Sequence, residues 1–310
     1  MSKEKHFHAS HRFPEGPITI IVGYPPGGSL DLTAQPLVEA LNVGQYLPQP
    51  FNVIHIPGDA GTKGMKELLS SQSDGYTLNL AAMGVLTLQP HIRDLPYKTA
   101  EDYTPILGLV NNPVCLAVRN DAPWENIESF ISDAMSRPGA IKVGDLGKGS
   151  ALHLATEQMK LTAKIDICPS HMTGSPENLK ALLSGDVDAV TNHHAVFIDE
   201  VKAGRVRILG VFEEKRNDLF PDSQTFLEAG YDIIFDSYAC LIGPKAIAEP
   251  ILSILHDACK KAMADPLFTE PMKERGLDLF YQNPSDLKKI LNRDYDLNAS
   301  LVKAIGLTAG

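Results

Sequence analysis

The sequence predicts an α/β protein with two lobes and a cleft between them. Short apolar runs alternate with helical patterns along the whole chain, which is typical of largely parallel sheets flanked by helices. Glycine-rich turns at 24–31 and 144–150 each join an apolar run to a helical pattern. The length of 310 residues is enough for two compact lobes.

The predicted elements follow from these patterns in chain order. Apolar runs predict strands at 18–22, 51–56, 77–81, 114–118, 141–143, 165–168, 187–191, 206–211 and 233–242. Helical spacing predicts helices at 30–41, 62–70, 127–135, 151–160, 176–183, 196–203, 249–264, 266–275 and 284–305. Pro176, Pro266 and Pro284 fall in first helical turns, where a missing N–H group costs nothing.

The domain division follows from the same order of elements. One lobe is expected to contain residues 13–112 and 221–310, and the other residues 113–220. A small first lobe gains core if the C-terminal helices pack back on it. Two crossover segments would then form a hinge beside the cleft. Residues 1–12 are polar and histidine-rich, and we expect them to be disordered or foreign to the natural protein.

The composition excludes some classes of partner. The chain has 28 Lys and Arg against 38 Asp and Glu, a net charge of −10, and no basic run, so a nucleic-acid surface is not expected. No apolar stretch is long enough to cross a bilayer. The four cysteines lack the Cys-x-x-Cys spacing of a zinc or redox motif, and we expect them to be small buried hydrophobes.

The turn 24–31, Tyr-Pro-Pro-Gly-Gly-Ser-Leu-Asp, is the most informative segment. Glycines let the backbone approach a ligand closely, and the first N–H groups of a helix attract anions. The segment matches neither the nucleotide-hydrolase phosphate loop nor the dinucleotide fingerprint. From the residues alone, two interpretations stay open: an anion site, or a structural turn in which Ser29 or Asp31 caps the helix.

Three further turns, at 82–84, 144–150 and 172–175, have a related form. The turns at 82–84 and 144–150 follow predicted strands, and those at 144–150 and 172–175 precede predicted helices. Open α/β sheets bind their ligands at the carboxyl ends of strands. Four such turns distributed over two lobes favour a ligand site over unrelated helix caps.

No set of residues indicates catalysis or a bound metal. His193 and His194 are adjacent, so on a strand they are expected to face opposite ways, one buried and one exposed. No carboxylate stands at a recognisable ligand spacing from these residues or from His153 and His171. The Gly-x-Ser-x-Gly pattern of a serine nucleophile is absent. We therefore predict no enzyme, no cofactor and no metal site.

Taken in order, these motifs resemble the Bug receptors, the TctC-like extracytoplasmic binding proteins of tripartite tricarboxylate transport systems. The resemblance runs from about 13 to 307, and rests on the turns 24–31 and 57–61, on Gly-x-x-Gly-x-Gly-Ser-x-x-His-Leu at 144–154 and on Glu-Ala-Gly-Tyr at 228–231. It implies a two-lobed periplasmic-binding-protein fold, type II-like, that closes on a small carboxylate.

The resemblance also implies which residues contact the ligand. In the first lobe they are Tyr24, Pro26, Gly27, Gly28, Ser29, Asp31, Ala82, Met83 and Gly84. In the second lobe they are Gly147, Gly149, Ser150, His153, Thr173, Gly174, Asn192 and His193.

Two departures from the family pattern bear on the ligand. The loop 172–174 reads Met-Thr-Gly where the family often has Tyr-Lys-Gly, so a cationic contact is missing. The turn 81–83 reads Ala-Ala-Met where serine and threonine are common, and methionine packs well against apolar groups. These differences predict a monocarboxylate or dicarboxylate with an apolar or aromatic body rather than citrate.

The function implied by the resemblance is that of a monomeric periplasmic receptor, whose export signal is absent from this sequence. It would deliver a small organic carboxylate to the membrane permease subunits of a tripartite tricarboxylate-type transporter. One alternative is a binding module that reports the ligand to a kinase or surface partner. Another is an enzyme on a similar scaffold, which would need a nucleophile or an acid–base pair in the cleft.

Overall fold

Strands and helices alternate along the chain, as the sequence predicts. The computed structural model describes residues 13–235 and 237–307, so the predicted disordered or foreign segment 1–12 lies outside the described residues. The strands are β1 Ile18–Val22, β2 Phe51–His55, β3 Thr77–Ala82, β4 Thr104–Asn111, β5 Val114–Arg119, β6 Lys142–Asp145, β7 Cys168–His171, β8 Ala189–His193, β9 Val206–Val211, β10 Gln224–Thr225, β11 Tyr238–Gly243 and β12 Leu279–Gln282. The helices are α1 Ser29–Val43, α2 Thr62–Ser70, α3 Met83–Thr87, α4 Gln89–Ile92, α5 Ile127–Ser136, α6 Ala151–Ala163, α7 Ser175–Ser184, α8 Ile198–Lys202, α9 Glu249–Met263, α10 Pro266–Glu274 and α11 Pro284–Ala304.

The first sheet has the strand order β12-β4-β11-β3-β1-β2. Strand β1 is parallel to β2 and β3, whereas β11 is antiparallel to β3 and β4, and β12 is antiparallel to β4. On one face, Ile20 packs in a core with Leu37 of α1 and Leu255 of α9. On the other face, Ile21 packs in a separate core with Met65 of α2. The alternation of inward residues along β1 therefore fixes a helical layer on each side.

The second sheet has the strand order β10-β9-β5-β8-β6-β7. Strand β6 is parallel to β7 and β8, and β10 is parallel to β9. Strand β5 is antiparallel to its neighbours β8 and β9. Phe130 of α5, Leu154 of α6 and Leu182 of α7 are buried in the cores of this half of the molecule. Both sheets are mixed, because each receives a strand that runs against its neighbours after the chain crosses over.

The chain passes between the sheets twice. The first crossover, at 112–113, joins β4 to β5, and the second lies between β10 and β11. The pairing of β10 with β9 places 224–225 on the second sheet, which favours a second crossover later than the predicted limit at 220/221. We therefore propose that one lobe holds residues 113–235 and that the other holds residues 13–112 and 237–307.

The sequence does not predict β4, β12 or the short helices α3 and α4. Pro105 and Gly108 interrupt the apolar pattern of β4. This segment is nevertheless a strand because β11 and β12 pair with it on both sides, and such tertiary pairing overrides local propensity. The predicted strand at 233–242 is shorter and forms only at Tyr238–Gly243.

Strand β7 forms three residues later than the predicted strand at 165–168. It lies at the edge of the second sheet, where a proline such as Pro169 is tolerated because one side of the strand needs no N–H donor. The prediction that all four cysteines are buried is wrong at Cys168, which is exposed on this edge, whereas Cys115, Cys240 and Cys259 are buried.

His193 and His194 are both buried, with exposed fractions of 5% and 0%, so the prediction that one of them is exposed is wrong. The reason is that β8 ends at His193 and the chain turns at His194, which stops the alternation of faces. His193 Nδ1 lies 3.0 Å from Asn112 O, and His194 Nε2 lies 2.7 Å from Arg275 O. Burial lowers the pKa of each imidazole to about 4, so both are neutral at pH 7.

We expect the free energy of unfolding to fall as the pH is lowered from about 6.5, the usual histidine pKa, towards about 4. In this range the unfolded chain binds protons that the native His193 and His194 do not, so acid favours unfolding. His194→Gln keeps an amide donor for the Arg275 carbonyl and removes one titration, so its stability should fall less steeply. Urea unfolding at several pH values gives the free energy of unfolding as a function of pH for both proteins. If that free energy does not change with pH in the parent, or changes equally in both, the low pKa values of the two histidines are contradicted.

Candidate ligand-binding cleft

The loops that follow β1, β3, β6 and β7 meet the end of β8 in a cleft between the two sheets. Seven of the predicted residues line this cleft: Tyr24, Gly28, Ser29, Ala82, Gly84, Ser150 and His193. Five lining residues are not among the predicted ones: Leu30, Leu146, Ala151, Leu152 and Ser175.

Three helices begin at the cleft. Helix α1 begins at Ser29, α6 at Ala151 and α7 at Ser175, and all three residues line the cleft. The first hydrogen bond within α1 runs from Leu32 N to Gly28 O, so the N–H groups before Leu32 lie outside the helical ladder. Each helix also directs the positive end of its dipole towards the cleft. The three helix starts together form an anion-attracting surface made of backbone.

No lysine or arginine is among the described residues that line the cleft. The positive potential there comes from N–H groups and helix dipoles, which bind a carboxylate without a side-chain cation. The hydroxyls of Ser29, Ser150 and Ser175 add polar groups beside these N–H groups. Leu30, Leu146 and other apolar lining residues make the remainder of the wall hydrophobic, an arrangement typical of small-molecule sites.

The carboxylate of Asp31 holds the first loop in shape. Its Oδ2 accepts a hydrogen bond of 2.8 Å from Gly27 N, and its Oδ1 lies 3.0 Å from Gln35 Nε2 and 2.9 Å from His55 Nε2. Burial acts to raise the pKa of Asp31, but these hydrogen bonds outweigh it and the pKa is lowered. Gly27 has φ of +78°, a left-handed conformation that favours glycine. Asp31 therefore positions the loop and does not face the cleft.

The second loop is held by Ser150 and His153. Ser150 Oγ accepts a hydrogen bond of 3.1 Å from His153 N, which caps α6. His153 Nδ1 in turn accepts one of 3.0 Å from Gly149 N, and burial lowers the pKa of this imidazole. Gly149 O accepts a hydrogen bond of 2.5 Å from Gln89 Nε2 in the other half of the molecule. This loop therefore touches both sides of the cleft.

His193 is the only imidazole among the described lining residues. Its Nδ1 lies beside a carbonyl oxygen, which accepts only, so Nδ1 carries the proton and donates to Asn112 O. Nε2 then holds a lone pair. A neutral His193 therefore offers a hydrogen-bond acceptor for a hydroxyl or a bridging water, and adds no positive charge to the site.

The two sides of the cleft are nearly in contact. A Cβ added to Gly84 would lie 3.0 Å from Ala151 N, and one added to Gly174 would lie 2.7 Å from Pro25 Cδ. The cavity volume is about 20 Å³, which is room for about one water molecule. A space of this size does not admit an organic acid unless the two sides of the cleft move apart.

Several predicted first-lobe residues lie outside the lining. Pro26 and Gly27 are exposed, and Asp31 supports the loop as described. Met83 points away from the cleft: it is 5% exposed, and its sulfur lies 3.8 Å from Asn298 Nδ2 on α11. The apolar wall that the sequence assigns to Met83 is therefore supplied by other residues, mainly leucines. Tyr24 does line the cleft, and its hydroxyl donates to Ala60 O at 3.0 Å.

In the second lobe, Gly147, Gly149 and His153 lie behind the lining and shape the loop. Thr173 precedes α7 and donates from its N to Glu177 Oε2 at 2.8 Å, a contact with the first turn of a helix whose start has no side-chain cap. The amide of Asn192 is buried within the second lobe and bonds to other parts of it: Ser175 Oγ donates to its Oδ1 at 3.0 Å, and its Nδ2 lies 3.1 Å from Asn178 Oδ1.

Four of the five unpredicted lining residues lie at helix starts, and the fifth, Leu146, lies in the loop after β6. Ala151 and Leu152 are the first two residues of α6, Leu30 is the second of α1, and Ser175 is the first of α7. Leu30, Ala151 and Ser175 each follow directly after a predicted site residue, and Leu152 is one residue further along. The helix starts in the sequence indicate these residues, whereas the family resemblance indicates the residues just before them.

Residues 37–307 match the Tripartite tricarboxylate transporter family receptor family, TctC. The chain belongs to this family. A relative from Cupriavidus necator, named "UPF0065 protein in gbd 5'region", is 30% identical over 296 residues, which cover 96% of this chain and 89% of that protein.

Solved structures agree with the TctC assignment. The structure of the periplasmic binding protein BugD matches with a TM-score of 0.90 at 25% identity, over 96% of this chain and 100% of that chain. Rpa4515 of R. palustris, with adipate, has a TM-score of 0.90 at 23% identity over 96% and 100%, a likeness that shows the fold. The predicted family and two-lobed fold are confirmed.

TctC-family proteins are periplasmic solute-binding receptors, so the prediction that this chain is not an enzyme is confirmed by its family. Within residues 13–235 and 237–307, no helix is long and apolar enough to cross a membrane.

We expect Gln89→Ala to shift this TctC-family protein towards an open form. The change removes the hydrogen bond from Gln89 to Gly149 O across the cleft, worth about 1 kcal/mol, or about a five-fold change in the closed-to-open ratio. Small-angle scattering should show a larger radius of gyration. Gln72→Ala, at an exposed position, is the matched control. Identical scattering curves for the two variants would contradict a role for the Gln89 hydrogen bond in holding the cleft closed.

Proposed function

We propose that this TctC-family receptor captures a small carboxylate in its cleft and delivers it, in the periplasm, to a tripartite tricarboxylate-type membrane transporter. The observation that carries the proposal is the convergence of three helix starts on one cleft. Ser29, Ala151 and Ser175 begin these helices and line the same space. The partly positive N–H groups at the starts of α1, α6 and α7 favour an anion with several acceptor oxygens.

A carboxylate fits this surface better than a polyanion. The described lining residues include no lysine or arginine, and burial keeps His193 neutral. Backbone groups can satisfy one or two carboxylate groups, whereas a trianion such as citrate would keep most of its charge uncompensated in a closing cleft. The ligand proposed is therefore a monocarboxylate or a dicarboxylate.

The apolar lining supports a hydrophobic body between or beside the carboxylates. Leu30, Leu146 and Leu152 line the cleft together with two alanines. Burying methylene or aromatic groups against them would contribute about 25 cal/mol for each Å² removed from water. The R. palustris neighbour is described with adipate, whose four methylene groups separate two carboxylates, and a ligand of this kind matches the lining here.

Closure is the step that would connect binding to delivery. The near contact of Gly84 with Ala151 shows how closely the lobes approach. A ligand that contacts both lobes favours the closed form over the open one. The closed form then presents a surface that a membrane transporter can distinguish from the empty receptor.

A thermal-shift panel of adipate, benzoate and citrate tests the proposed ligand class. A ligand that binds only the native state raises the melting temperature, by about 5 °C at 100 times its Kd. Adipate or benzoate should give such a shift, and citrate should give none. A large shift with citrate alone would contradict the apolar, cation-free site, and no shift with any small carboxylate would contradict the proposed function.

Gly84→Val tests whether closure is needed for binding. The added side chain would start 3.0 Å from Ala151 N and 3.1 Å from its Cβ, so it should hold the lobes apart and weaken binding of the acid found in the panel at least ten-fold. Gly16→Val is the matched control, because a Cβ there would meet only Tyr76 Cε1, at 4.0 Å. Titration calorimetry measures both affinities, and equal affinities would count against closure on the ligand.

A further inference from the structure

A cluster of two histidines and an aspartate lies directly behind the second cleft loop. Asp145 ends β6, His171 ends β7, and His153 is the third residue of α6. One ligand atom from each of the three lies within 4.8 Å of the others. The cluster is not apparent in the sequence, which predicts no metal site, because its members are 8 and 18 residues apart along the chain and only the fold brings them together.

The parallel pairing of β6 and β7 explains the first contact. Asp145 and His171 are register partners, so both side chains leave the sheet at the same level. His171 Nδ1 lies 2.7 Å from Asp145 Oδ1. The loop after β6 then returns through Gly147 and Gly149 to α6, whose first turn places the ring of His153 4.7 Å from the ring of His171.

The carboxylate of Asp145 is unusual because it is completely buried, with 0% of the residue exposed. Its Oδ1 also accepts a hydrogen bond of 2.9 Å from Gly147 N. Its Oδ2, in contrast, has no hydrogen-bond partner among the described residues. A buried carboxylate oxygen without a partner is costly, and a cation bound at this oxygen would remove that cost.

The surroundings supply further ligand groups. Glu157, one turn along α6, has Oε1 3.7 Å from His153 Nε2. The side chain of His171 is 38% exposed, which gives an ion a path from solvent to the buried Asp145.

We propose that Asp145, His153 and His171 form a binding site for a divalent transition-metal ion such as Zn²⁺, with Glu157 within reach as a fourth ligand. Two imidazoles and one or two carboxylates are typical of Zn²⁺ sites, whereas Ca²⁺ and Mg²⁺ prefer oxygen ligands only. None of these three residues lines the cleft, but His153 contacts the cleft loop through Gly149.

Binding has a structural cost. Tetrahedral Zn²⁺ ligands lie about 3.4 Å apart, so the cluster, at up to 4.8 Å, must contract. The hydrogen bond from Gly149 N to His153 Nδ1 must also break. If the metal binds Nδ1, it displaces this N–H; if it binds Nε2, the ring proton moves to Nδ1 and faces the same N–H. The cost points to micromolar rather than nanomolar affinity.

The test uses the full chain in a background that removes another source of metal binding. His6, His8 and His11 in the N-terminal segment could themselves bind Zn²⁺, so all three are changed to glutamine. After treatment with a chelator and its removal, calorimetric titration with Zn²⁺ should give one site per chain. Titration with Co²⁺ in place of Zn²⁺ should give a visible absorption spectrum typical of Co²⁺ with four or five nitrogen and oxygen ligands.

His171→Gln and His153→Gln should each weaken Zn²⁺ binding at least ten-fold and abolish the Co²⁺ absorption. His256→Gln is the matched control, because His256 also pairs with an aspartate, Asp257, at 2.9 Å but lies outside the cluster; it should change neither. His171 is partly exposed, so its variant should fold even if His153→Gln does not, and the melting temperature checks this. Failure of the parent background to bind Zn²⁺, or unchanged binding in a folded His171→Gln protein, overturns the proposal.

Discussion

The N–H groups at the starts of α1, α6 and α7 lack partners within their own helices, and the topology collects them in one cleft. Helices α1, α6 and α7 follow β1, β6 and β7, so each begins at the carboxyl end of a strand. After the first crossover the chain adds β5 to the second sheet, and after the second it adds β11 to the first sheet. The two sheets are therefore joined beside the cleft, with the ends of β1, β6 and β7 facing it. The positive potential of the cleft therefore comes from the backbone at these helix starts, since no lysine or arginine is among the described lining residues.

In each lobe, an aspartate and a histidine stabilise the cleft loop that precedes a helix start. Asp31 accepts from Gly27 N and pairs with His55 at the end of β2, and Asp145 accepts from Gly147 N and pairs with His171 at the end of β7. In both lobes the histidine comes from the edge strand beside the strand that leads into the loop. The side-chain charges therefore shape the backbone and leave the helix starts to the ligand. The second lobe differs by the approach of His153, which turns a supporting pair into a three-ligand cluster.

The order of strands and helices could be predicted because the apolar periodicity of most elements is strong. Strand β4 is not predicted from the sequence because Pro105 and Gly108 interrupt its apolar pattern. Its strand conformation depends on pairing with its neighbours in the sheet. The glycine turns of the sequence coincide with loops that line the cleft in the structure, but the direction of each side chain depends on packing, as for Met83, which faces α11. The cluster at Asp145 joins residues from three elements, so no local spacing could reveal it.

The most direct measurement is a crystal structure of the complex with whichever acid stabilises the protein. We expect one carboxylate of the acid to have its oxygens within hydrogen-bond distance of N–H groups at the starts of α1, α6 or α7. The apolar part of the acid should lie against Leu30, Leu146 or Leu152. A carboxylate paired instead with a lysine or arginine, or an acid bound away from these helix starts, would contradict this expectation.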